Sequence, residues 1–174
     1  MTETNNTTEN TEKLGARSLL KKIFSDADAH LEEHDDGRMS FVYSYDDNKS
    51  ETILVEADDE HVTIRLIDYA WHEVSRWDIE EVTRIQSRIN NLNTFARSKV
   101  VYSFDDDDKM YLSTLLTCPL FPEIPDINSY FTSQIEDMVE THNYILNHSD
   151  EENMSQAEVT GGNEASNNEK GGEA

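Results

Sequence analysis

Apolar side chains along the chain recur at two spacings, every three to four residues in some stretches and every second residue in others. The first stretch with helical spacing is Leu14–Leu31, where Leu20, Ile23, Phe24, Ala27 and Leu31 share one face and Lys21, Lys22, Asp26 and Asp28 take the other. Asp35-Asp36-Gly37 closes it with a turn signal. Three alternating runs follow. Arg38–Tyr45 sets Met39, Phe41, Tyr43 and Tyr45 against Ser40, Val42 and Ser44. Glu51–Ala57 alternates less cleanly, because Leu54 joins Ile53 and Val55. His61–Tyr69 sets Val62, Ile64 and Leu66 against His61, Thr63 and Arg65. The acidic connections Asp46-Asp47-Asn48-Lys49 and Asp58-Asp59 are short, which predicts an antiparallel meander.

A second helix is predicted from Asp78, which with Glu81 has the spacing of a capping box. Ile79, Val82, Ile85, Ile89 and Leu92 keep helical spacing, and Asn90–Asn93 is the expected end, since Asn tolerates left-handed geometry. Val100–Phe104 and Met110–Thr117 form a second hairpin around Asp105–Lys109. Pro119, Pro122 and Pro125 keep Cys118–Pro125 extended or looped. Asp126 is placed to N-cap a last helix with Ile127, Tyr130, Phe131, Ile135, Met138, Val139 and His142 on one face. The order α-β-β-β-α-β-β-α implies an α+β fold, an antiparallel sheet packed by helices.

Composition trims this picture at both ends. Residues 1–13 and 149–174 have too few apolar side chains to offset ordering entropy and are expected to be disordered tails around one domain at 14–148. The formal net charge is −23, and residues 14–148 carry −15 of it. Such a surface disfavours nucleic-acid phosphates and anionic lipid, and it steers basic partners in. Cys118 is the single cysteine, so no intramolecular disulfide forms. The first residues lack the basic and apolar segments of a secretion signal, and no apolar run approaches a bilayer span; a cytoplasmic address is expected.

The element order, the Asn90-x-x-Asn93 ending of the second helix, the turn-centred strand pair after it and the amphipathic helix at Ile127–Leu146 resemble the YbjN-type bacterial family. That family shares its fold with type III secretion chaperones. The resemblance covers about residues 14–147. It implies a small, acidic, non-catalytic, often dimeric protein, linked to regulation or to binding extended segments of client proteins.

Candidate chemistry is sparse. His30-Leu31-Glu32-Glu33-His34 fits the H-x-x-E-H pattern, in which two histidines one helical turn apart face a single zinc ion. It sits at the end of the first predicted helix and lacks an evident third ligand, so a zinc-dependent hydrolase through His30, Glu33 and His34 is a remote alternative. The turns Asp46-Asp47-Asn48, Asp58-Asp59 and Asp105–Asp108 lack the glycine that a calcium loop needs at its sixth position and read as solvated turns. Cys118 reads as a buried structural thiol. Trp71 and Trp77 flank the approach to the second helix, as core cover or as interface anchors. Met110, Leu112, Leu115 and Leu116 fall on what reads as an edge strand, where an apolar edge needs a partner. These six residues form the candidate protein-binding set. Asn90 and Asn93 read as helix-terminating groups. No catalytic residue, metal or cofactor is expected. The reading is a non-catalytic protein-binding module, chaperone-like or regulatory, with a possible homodimer; its alternative is an acidic nucleic-acid mimic that occupies a DNA-binding protein.

Overall fold

The structure, a computed structural model, describes residues 15–46 and 49–147. The two expected tails and the centre of the first acidic turn lie outside the described residues. Among the described residues, three helices and six strands follow one another as α1 (Ala16–Asp26), β1 (Glu32–Glu33), β2 (Met39–Asp46), β3 (Lys49–Asp58), β4 (Thr63–Ser75), α2 (Ile79–Phe95), β5 (Lys99–Phe104), β6 (Lys109–Pro119) and α3 (Ile127–Leu146). All strands pair antiparallel in one sheet, in the order β1-β2-β3-β4-β6-β5. The α+β class and the antiparallel sheet agree with the hydrophobic pattern.

Caps explain several boundaries. The Asp78 carboxylate accepts the Glu81 N–H at 3.1 Å and opens α2, and Asp126 does the same for the Ser129 N–H at 3.3 Å to open α3. At the far end of α3, Arg84 and Arg88 of α2 donate to the carbonyls of Ile145 (3.0 Å) and Tyr144 (2.6 Å), putting positive charge where the helix dipole is negative.

Other boundaries differ from expectation. Helix α1 stops at Asp26 instead of reaching Leu31, because Asp28 turns left-handed (φ 51°) and Ala29 bonds back to the Phe24 carbonyl. The released segment forms the two-residue strand β1, which adds a strand to the expected order. Leu31 still packs beside the core from its new position. Strand β4 runs through Trp71 to Ser75 instead of ending at Tyr69, because a bulge after Asp68 lets the ladder resume at His72. Ala70 carries that bulge at φ 54°, with its N–H bound to Ser113 Oγ. Helix α2 continues past Asn93 to Phe95.

The three helices lie on one side of the sheet and bury two apolar clusters there. The first joins Leu20, Ile23 and Phe24 of α1 and Phe131, Ile135 and Met138 of α3 to Met39, Phe41, Ile53, Val55, Ile64 and Leu66. Phe24, Phe41 and Phe131 meet ring to ring at 4.9 to 5.8 Å. The second joins Val82, Ile85, Ile89 and Leu92 of α2 to Val74, Val100, Met110, Leu112 and Ile145. Between them, α3 places His142 where its buried stripe calls for an apolar residue.

Candidate functional site

The alternation that buries one set of strand side chains turns the other set onto a face that no described helix covers. Register sets Leu54 beside Ile67 and Ile67 beside Leu115, so an aliphatic row crosses β3, β4 and β6. These three are half-buried, and around them Val42, Tyr69 and Val101 are 65%, 70% and 46% exposed. The irregular place of Leu54 in its run has its explanation here: it belongs to the open face, while Ile53 and Val55 belong to the core.

This geometry corrects the expected edge. Strand β6 is an inner strand between β4 and β5, and Met110, Leu112 and Leu116 point under the helices, with no more than 1% exposure each. Only Leu115 of that group turns outward, because it has the opposite parity. The edge on that side of the sheet is β5, and Asn93 covers its start. The Asn93 side chain donates to the Val100 carbonyl at 2.8 Å and accepts the Val100 N–H at 3.0 Å, completing the bonds a neighbouring strand would make. Asn93 therefore does not terminate α2 but fastens β5 to it; Asn90 is exposed on the same helix.

The two tryptophans part company. Trp77 is 73% exposed. Trp71 lies half-buried in the bulge region, stacked on the His142 ring at 3.9 Å and 20°, with its indole N–H on Thr114 Oγ1 at 3.0 Å.

His142 in turn faces two carboxylates. Its Nδ1 is 3.4 Å from Glu51 Oε1, and its Nε2 is 3.5 Å from Asp68 Oδ2. Asp68 and His142 are 3% and 5% exposed, and the Glu51 side chain is 16% exposed. Glu51 continues the inward parity of Ile53 and Val55, Asp68 continues that of Ile64 and Leu66, and Tyr45 donates to Glu51 Oε1 at 2.8 Å. Burial opposes charge on Glu51, but contacts with His142, Asp68 and Tyr45 outweigh it and hold the carboxyl down at about 2. Burial, followed by the adjacent Glu51 carboxylate, pushes Asp68 up to about 8. Sequence reading placed His142 on the buried face of the last helix without a partner. The missed signal was an acid at an inward position in each of two strands.

The H-x-x-E-H residues do not converge. Helix α1 has ended before His30, so no helical turn aligns the histidines. Glu33 pairs with Lys21 at 2.8 Å, His34 Nε2 meets Ser40 Oγ at 2.9 Å, and His30 is exposed. Two of the turn carboxylates are occupied locally: Asp58 accepts the N–H groups of Glu60 and His61, and Asp105 those of Asp107 and Lys109. Cys118 is buried in the first cluster.

No protein-family model matches the chain, and no curated protein does. Among solved structures it is similar to the crystal structure of YbjN from E. coli, described as a candidate transcription regulator, at 14% identity and a TM-score of 0.48 over 76% of this chain and 88% of that one. Among the described residues, no helix is long and apolar enough to cross a membrane.

Proposed function

We propose that the chain is a non-catalytic protein-binding module whose open sheet face receives an extended, basic segment of a partner protein. The observation that carries this reading is the aliphatic row Leu54–Ile67–Leu115, flanked diagonally by Val42 and Val101, on the side of the sheet away from all three helices. Contiguous apolar surface of this kind marks interaction sites in soluble proteins. Charge selects the partner. With −15 over residues 14–148, the domain attracts Lys- and Arg-rich chains and repels acidic ones. Trp77 stands as a further anchor near the start of α2. Regulation and chaperoning both fit such a module, and the protein's own second copy is the competing occupant.

Photo-crosslinking tests the reading. A benzophenone amino acid placed at Leu115 in the full chain is expected to capture basic proteins in cells, and Ile67→Lys is expected to abolish the capture while the fold persists. Equal yields from a helix-side control at Glu80, or crosslinks confined to this chain itself, would sink the proposal. A nucleic-acid mimic makes a different forecast: every captured protein would bind DNA, and added DNA would compete.

A further inference from the structure

The Glu51–Asp68–His142 cluster lies on the opposite side of the sheet from the binding face, and that face makes no use of it. Glu51 Oε2, Asp68 Oδ2 and both ring nitrogens of His142 are shut away from water without a hydrogen bond. Native interiors leave few such groups unsatisfied, and three ionisable ones at a single point demand a reason. The separations supply one. A charge-assisted N–H···O bond closes to about 2.7–2.9 Å, whereas the two His142–carboxylate distances are 3.4 and 3.5 Å. Two ligands bound tetrahedrally, each about 2.1 Å from one cation, lie about 3.4 Å from each other, which is the separation of His142 Nδ1 and Glu51 Oε1. An imidazole gives one nitrogen to an ion, so the Nε2–Asp68 distance is not such a separation. One donor atom from each of the three residues falls within 4.8 Å of the other two, close enough for small side-chain adjustments to share an ion.

We propose that Glu51, Asp68 and His142 form a binding site for a divalent transition-metal cation of the zinc type. An imidazole nitrogen with two carboxylate oxygens is a donor set that such ions accept, and the two carboxylates balance the double charge. Trp71 stacked on the His142 ring and Tyr45 bonded to Glu51 hold the ligands in place. Glu51, the most exposed of the three, marks the side from which an ion enters and where a water completes the shell. A bound cation ties β3, β4 and α3 together at the seam between the two apolar clusters.

The test uses the untagged full-length chain, stripped with a chelator, dialysed and titrated calorimetrically with zinc chloride. One equivalent is expected to bind and to raise the melting temperature. Asp68→Asn and His142→Gln, each verified as folded by circular dichroism, are expected to weaken binding by about 100-fold, while the double variant His30→Gln/His34→Gln retains it. Failure of the folded wild-type chain to bind zinc, or affinity that survives both cluster substitutions, overturns the proposal. A readout free of substitutions is anomalous diffraction at the zinc edge from wild-type crystals grown with zinc. A peak between the three side chains supports the site, and a peak elsewhere or no peak refutes it.

Discussion

At the scale of single residues, Asn93 makes the clearest case for a side chain doing backbone work. Its amide satisfies both the N–H and the carbonyl of Val100, a residue that is 1% exposed. Truncation to alanine leaves both groups unpaired beside the second cluster, at a cost of roughly 1–3 kcal/mol. Asn93→Ala is therefore expected to lower the urea midpoint with little change in its slope, whereas Asn90→Ala, on the exposed side of α2, leaves the midpoint nearly unchanged. Equal effects from the two substitutions would remove Asn93 from this role. The Asn-x-x-Asn spacing was visible in the sequence. Its purpose was not, because Val100 lies in another element and only the fold brings it within reach.

At the scale of elements, α3 depends on α2. Arg84 is buried to the point that its side chain is 9% exposed, and it holds both Glu81 oxygens at 2.7 Å while bonding the Ile145 carbonyl. Hydrogen bonds from a charged, poorly hydrated group contribute about 1.5–3 kcal/mol. Arg84→Met keeps most of the packing and loses the bonds, so it is expected to destabilise by about 2 kcal/mol and to speed amide hydrogen exchange in the last turn of α3 before other elements. Uniform exchange across the sheet in that variant would contradict the coupling. Helix α3 itself was legible from Ile127 to Leu146, because its cap and stripe are local. Helix α1 was read too long because Ala27 and Leu31 continue the apolar spacing, while the left-handed Asp28 that ends the helix has no unambiguous sequence mark.

At the scale of the molecule, the first cluster protects Cys118. Burial pushes its thiol up to about 11, against a weaker downward pull from Tyr130 and Arg97. A pKa raised above the unfolded value of 9.0 leaves stability intact below pH 9 and erodes it as the pH climbs from there toward 11. At pH 8 the native chain is expected to resist iodoacetamide for hours and to react within minutes in urea, so that alkylation followed by mass spectrometry reports global opening. Rapid labelling of the native chain would show that this part of the core opens locally.

The periodicities, the caps at Asp78 and Asp126 and the acidic turns were enough to determine an α+β chain with its hairpins and final helix, since each acts within a turn or two of backbone. Tertiary structure alone decided that β6 is internal, that no described helix covers one sheet face and that Glu51, Asp68 and His142 meet. Those outcomes depend on strand order and on contacts between residues distant in the chain. Alternation tells which side chains share a side of a strand, but not which side the helices will cover, and an inward acid shows its partner only when the third element packs against it.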